Sequence, residues 1–310
     1  MPSNRRSEIG GDAASRLAGA MLSPWCEIES AEEIVARAGI AAVDWWEARV
    51  PGVARQGSLV VAAQRDRGEL ARFARRTGHF EPVDGAAIAE LEPDLAGRFR
   101  SGLLFPEEAH LCPRCALKAL ARRLIEKGAT IRLGQPAPRE TGDADLVIDC
   151  TGVAARDALP GLRPVRGEMV LLRTREVSLS RPVRLLHPRL STYFVPRGDG
   201  LFMVGATMIE SASRGGVTAR AALELLGAAY ALHPAFAEAE IVETAAHVRP
   251  AFSDNLPRVI RREGYIFVNG LYRHGFLLGP VMAREAALAA LDPSHTSEWI
   301  HEDLAERRRA

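Results

Sequence analysis

Two stretches, "DLVIDCTG" (145–152) and "YIFVNGLY" (265–272), are near-continuous apolar runs that end in glycine-bearing turns. A strand apolar on both faces belongs inside a parallel sheet. Between the two runs the pattern changes. "EMVLLRT" (168–174), "STYFVPR" (191–197) and "LFMVGATM" (201–208) read as strands with short connections, and "RGDG" (197–200) reads as a hairpin turn. A parallel sheet that begins before this stretch must therefore resume after it. The expected fold is α/β, with an antiparallel-sheet domain inserted into a parallel-sheet domain. The pattern switches near residues 50, 104, 164 and 248, and no Pro/Gly/Ser linker separates the blocks. The two domains are thus expected to interleave rather than follow in series.

Apolar spacing near 3.6 predicts helices over 31–48, 66–76, 86–91, 113–128, 217–231 and 279–291. "SLVVAA" (58–63) and "TIRLG" (130–134) read as further strands.

The chain has 310 residues, 47% hydrophobic and 25% charged, which is ordinary globular composition. Lys and Arg number 40 against 39 Asp and Glu, so nothing argues for a nucleic-acid surface. No apolar run approaches the roughly 20 residues that span a bilayer. The start, "MPSNRRSEIGG", has no apolar core after its arginines and is not a signal peptide. "ERRRA" (306–310) reads as a solvated helix end or frayed tail. Four cysteines make no disulfide framework, which fits a reducing, cytoplasmic setting. The histidines at 79, 110, 187, 233, 247, 274, 295 and 301 do not cluster, and no metal site is expected. Ser/His/Asp, Cys/His and HExxH arrangements have no convincing spacing.

Cys112 and Cys115 form a CxxC in "HLCPRCALKAL" at the head of an apolar-periodic helix. The spacing suits a redox pair or half a zinc site, but the second half of a zinc site is absent. The preferred reading is structural thiols at a helix start, with redox or metal chemistry as the alternative.

Other segments suggest a ligand. In "YIFVNGLYRHGFLLGPVMAREAALAAL" (265–291), Arg273 and His274 stand between a strand and a helix that starts near Gly275. Glycines there let a backbone approach a ligand, and a helix start offers free N–H groups and partial positive charge. The plainer reading is a tight turn with two exposed cations. "HVRPAFSDNLPRV" (247–259) offers Arg249, whose planar fork suits a carboxylate; the alternative is a surface arginine paired with Asp254. Tyr193 lies on a strand and either reaches a substrate or sits at a rim. "ASRLAGAML" (14–22) is rich in small residues and admits either a flat ring or a packed turn.

Taken in order, these segments resemble the flavin-dependent amine and amino-acid oxidases of the D-amino-acid oxidase type, and among them the glycine oxidases of thiamine biosynthesis. The resemblance runs through "SEIGGDAASRLAGAMLSPWCE" (7–27), "DLVIDCTG" (145–152), "PVRGEMVLL" (164–172), "YFVPRGDGLFMVGATM" (193–208), "VRPAFSDNLPRV" (248–259) and "VNGLYRHGFLLGP" (268–280). It covers the chain to about residue 292. It implies an FAD-binding, Rossmann-like domain from 1–50, 104–163 and 248–310, and a substrate-binding domain from 51–103 and 164–247. It implies flavin contacts at Ala18, Gly19, Met21, Gly152, Gly270, Arg273, His274, Gly275, Phe276 and Leu277. Substrate contacts fall on Arg249, Tyr193, Arg273 and Met208, with Arg249 on the carboxylate and Met208 and Met21 lining a small pocket. No protein acid or base is implied.

The activity implied is oxidation of glycine or another small amino acid to an imine, then glyoxylate and ammonia. Dioxygen is the acceptor and yields peroxide. The imine can instead serve thiazole formation, with thiazole synthase as a partner, and a homo-oligomer is expected. Sarcosine, proline or D-amino-acid oxidation, a dehydrogenase, or a cofactor-free remnant are the alternatives. One departure stands out. The family's opening βαβ unit, with its G-x-G-x-x-G turn for the pyrophosphate, has no counterpart in the sequence. The resemblance therefore predicts that roughly 30 residues are missing before about Asn4 or Arg5, and that the chain as written holds FAD poorly.

Overall fold

A computed structural model describes residues 9–11, 13–135, 142 and 144–302. The expected end of a strand at Asn4 or Arg5 and the tail at 306–310 lie outside the described residues.

Among the described residues, one large sheet runs from Ile209–Glu210 through Arg163–Arg173, Leu201–Gly205, Thr192–Pro196, Val183–Leu186, Ser58–Ala62 and Ser101–Phe105 to Glu81–Asp84. Glu240–Ala251 joins it by pairing along Arg163–Arg173. All its pairings are antiparallel except Ser58–Ala62 against Val183–Leu186, which is parallel, so the sheet is mixed where the sequence suggested a wholly antiparallel one. Ser58–Ala62 is buried at every position, as a central strand must be. The hairpin at 197–200 forms as expected: Asp199 (φ 51°) and its flanking glycines take left-handed backbone, and Phe202 pairs with Pro196.

A second sheet carries the resumed α/β pattern. Tyr265–Asn269 pairs parallel with Val147–Asp149 and antiparallel with Arg258–Arg262, which pairs parallel with Ile300–Glu302. The helix Gly275–Leu291 lies against it, with Phe276, Leu277, Leu278 and Met282 in a core shared with Val35, Trp46, Val259 and Ile266. The large sheet has its own core around Phe194, Phe202, Leu225 and Phe236.

Two expectations fail locally. The helix over 31–48 divides into Glu33–Gly39 and Ala42–Glu47. At the division, a Cβ on Gly39 would sit 2.6 Å from Leu277 Cδ1, so the first helix ends where it comes closest to Gly275–Leu291. "TIRLG" is not a strand, because no described strand lies beside it to accept its hydrogen bonds.

Candidate active site

Several segments meet where the two sheets adjoin. Arg249 stands near the end of Glu240–Ala251, opposite Val165. Its guanidinium lies flat across Gly167, where any Cβ would sit 2.2 Å from Nη2. Gly167 is therefore required by the arginine's position. Nη1 donates to the Thr207 carbonyl at 3.2 Å, and the guanidinium also donates to the Tyr193 hydroxyl. Burial lowers its pKa from the ordinary arginine value. Asp254, the alternative partner, pairs instead with Arg258 at 2.7 Å. Among the described residues no carboxylate pairs with Arg249.

Tyr193 projects from Thr192–Pro196 with its ring on residue 19: a Cβ on Gly19 would lie 2.9 Å from Cε2. The Ala18 and Gly19 carbonyls accept from Arg197 Nη2 at 3.0 and 2.7 Å, and Arg197 Nη1 donates to the Leu111 carbonyl at 2.6 Å. Arg197 thus fixes the small-residue segment beneath the tyrosine, while Met21 pairs with His110. His110 is buried, and burial, assisted by Arg197, holds its pKa at about 4.

Met208 closes the other side. It is 52% exposed, with Sδ accepting from Tyr272 Oη at 3.2 Å and lying 3.6 Å from Arg273 Nη1. Arg273 also reaches Glu27 Oε1 at 3.3 Å. That carboxylate is shared: Arg184 Nη2 sits 3.1 Å from the same oxygen, and His274 Nδ1 lies 3.4 Å from the other. Burial opposes ionisation of Glu27, but Arg273, His274 and Arg184 hold its pKa at about 2. Burial holds His274 at about 4, so its ring is neutral at neutral pH and the two arginines carry the charge balance of Glu27.

His274 precedes Gly275, the exposed first residue of a 17-residue helix. A Cβ there meets nothing within 4 Å, so the helix start faces open space. Helix geometry leaves the N–H groups of Gly275, Phe276 and Leu277 without intrahelical partners. Phe276 and Leu277 turn their side chains into the core. Gly152 and Gly270 stand nearby on left-handed backbone (φ 64° and 81°). Asn269 links them, donating to the Gly152 carbonyl at 2.9 Å and accepting from the Gly270 N–H at 2.9 Å.

Arg249 neighbours Tyr193 and Arg273, Arg273 neighbours Met208, and the Tyr193 ring lies on Gly19. Sequence reasoning missed Gly167, Thr207, Tyr272, Arg197, Arg184 and Glu27. Glu27 closes the quoted segment 7–27, but nothing local marks it. Its partners lie 157 and 246 residues away.

The small-residue segment, the open helix start and the left-handed glycines fit the ring end of a flavin. Among the described residues no Gly-x-Gly-x-x-Gly turn is present for its pyrophosphate. No group of His, Cys, Asp and Glu there could hold a metal ion. No described helix is long and apolar enough to cross a membrane.

Comparison with known proteins shows the family and the fold. The chain is 60% identical over 283 residues to a provisionally named thiamine biosynthesis oxidoreductase, ThiO, of Rhizobium etli, covering 91% of this chain and 86% of that protein. It is 26% identical over 258 residues to the glycine oxidase of Bacillus licheniformis, covering 74% of this chain and 68% of that one. Its fold superposes on the crystal structure of iminodiacetate oxidase from Chelativorans sp. with a TM-score of 0.75 and 25% identity, covering 93% of this chain and 89% of that one. Residues 5–289 match the family described as DAO, FAD dependent oxidoreductase, and the chain belongs to that family of FAD-dependent enzymes.

Proposed function

We propose that the chain oxidises glycine or another small amino acid, releasing an imine that hydrolyses to the oxo acid and ammonia, with dioxygen leaving as hydrogen peroxide. A place in thiamine biosynthesis, with thiazole synthase consuming the imine, follows from the likeness to ThiO. The observation that carries this reading is Arg249: a partly buried guanidinium beside a tyrosine hydroxyl, with no carboxylate partner among the described residues. A substrate carboxylate supplies the missing charge.

Arg249 binds that carboxylate through its fork, and the Tyr193 hydroxyl donates a second hydrogen bond to it. The ring of Tyr193 on Gly19 and the Arg197 clamp on Ala18 and Gly19 keep both groups in register. Tyr272 and Met208 form the outer wall and limit side-chain size. Glu27 holds Arg273 beside Met208. Ala18, Gly19, Met21, Gly152, Gly270 and the helix start at Gly275–Leu277 would hold the flavin ring, which when bound would supply a two-electron acceptor for the substrate. The helix start favours negative charge next to it. No protein side chain at the site takes a proton from carbon, and the amine need only arrive neutral.

In this reading 1–50, 104–163 and 248–310 form the cofactor half, and 51–103 and 164–247 the substrate half. The test is flavin-loaded protein assayed for peroxide with glycine, sarcosine, D-alanine and iminodiacetate. Glycine is expected to give the highest kcat/KM. Turnover only of amines without a carboxylate would sink the proposal.

A further inference from the structure

The CxxC at the head of the helix Pro113–Glu126 takes no part in that site. Its geometry is specific. Cys112 is the N-cap, Pro113 the first helical residue, and the Cys115 N–H donates to Cys112 Sγ at 3.4 Å. The Cys115 thiol also hydrogen-bonds to Cys112, and that contact raises its pKa from the ordinary thiol value. The two thiols are therefore in contact across the first turn of the helix. Cys112 is half-buried and Cys115 exposed, whereas Cys26 is fully buried. Arg197 lies close enough to interact with both sulfurs, and Lys118 with Cys115. Cys112 Sγ thus sits at the helix start, accepting a backbone N–H with Arg197 beside it.

We propose that Cys112 and Cys115 are a peroxide-reactive dithiol that closes to a reversible intramolecular disulfide, with Cys112 the attacking thiol and Cys115 the resolving one. The Cys112 thiolate attacks the terminal oxygen of a hydroperoxide. The O–O bond breaks, a sulfenic acid forms on Cys112, and the other oxygen leaves and is protonated to water or an alcohol. The Cys115 thiol then attacks the Cys112 sulfur. The S–S bond forms, the S–O bond breaks, and hydroxide leaves as water with the Cys115 proton. Two thiols lose two electrons, and the peroxide is reduced by two. An external thiol reverses the change by exchange.

The test uses the reduced full chain exposed to a small excess of hydrogen peroxide, quenched with a maleimide, digested with trypsin and weighed. Trypsin cuts after Arg114, so a disulfide holds the two resulting peptides together. The expected result is a joined pair 2 Da lighter than its reduced sum, and loss of two of the four titratable thiols, with Cys26 and Cys150 still alkylated. A reducing thiol should restore all four. Under the same exposure C115S should gain 16 Da on Cys112, and C112S should lose peroxide reactivity at Cys115 by about tenfold or more. The proposal fails if Cys112 and Cys115 stay alkylatable while Cys150 oxidises, or if the pair links only in unfolded protein. It also fails if Cys112 in C115S reacts no faster than Cys150. Peroxide is added as a reagent, so the outcome is independent of the substrate reading above.

Discussion

Arg249 and Glu27 belong to neighbouring charge clusters with opposite states. Glu27, with 13% of its side chain exposed, is held by Arg184 and Arg273. Arg249 has a tyrosine, a backbone carbonyl and, among the described residues, no carboxylate. A charge withdrawn from water is tolerated when paired and costly when not. The charge of Glu27 is therefore balanced within the fold, and its removal should be felt in stability. The Arg249 cluster is complete only with a ligand, and its removal should be felt in activity. The contrast separates a structural ion network from a binding site more sharply than residue type does.

The largest expected effect is on the Glu27 side. Glu27→Ala leaves Arg184 buried without its partner, and such a loss costs about 3–5 kcal/mol. Chemical denaturation should show it, and Glu27→Ala with Arg184→Met should recover much of the loss. A cost below about 1 kcal/mol for Glu27→Ala would erase the distinction between the clusters.

Acid should act on the same region. His274 and His110 are buried at about pKa 4 against an ordinary 6.5, so the unfolded chain binds more protons between these values. Stability is then fully present above pH 6.5 and falls as pH drops toward 4, with a limiting slope of about 1.4 kcal/mol per pH unit for each group. Glu27, held at about 2 against 4.5, adds its own loss only below pH 4.5. His274→Gln should flatten the fall between pH 6.5 and 4 and leave the limb below 4.5 in place. An unchanged slope would mean that His274 is protonated in the fold and paired with Glu27.

Arg249 gives the opposite pattern. Arg249→Ala in flavin-loaded protein should raise KM for glycine by about 10- to 100-fold, from a charge-assisted contact of about 1.5–3 kcal/mol. Its denaturation midpoint should move by less than about 0.5 kcal/mol in stability, or rise, since an unpaired charge is removed. Destabilisation as large as that of Glu27→Ala would place Arg249 in the structural class.

The two clusters also differ in how far sequence could reach them. Arg249, Tyr193, Arg273 and Gly275 sit in short motifs at strand ends and a strand-to-helix turn, where glycine and cation placement is visible locally. The hairpin at 197–200 and the helix Pro113–Glu126 were legible for the same reason: turn chemistry and 3.6 periodicity are local. Glu240–Ala251 was not, because its first half is largely exposed and its second carries Pro250, so neither alternation nor a buried run appears. Glu27 and Arg184 were invisible because an ion network made by residues so far apart leaves no periodic trace.

The smallest effect tests whether the helix start belongs with Arg249 or with Glu27. Gly275→Ala adds a methyl group in open space at a helical position. By helix propensity alone it should stabilise the apoprotein by about 0.5–1 kcal/mol. If that space receives the flavin edge, the same methyl group should weaken cofactor retention, read as faster flavin release on heating or dilution. Opposite signs in the two measurements would group Gly275 with Arg249, as a position whose partner is not part of the chain. Equal gains in both would place the flavin elsewhere and leave Gly275 an ordinary helix start.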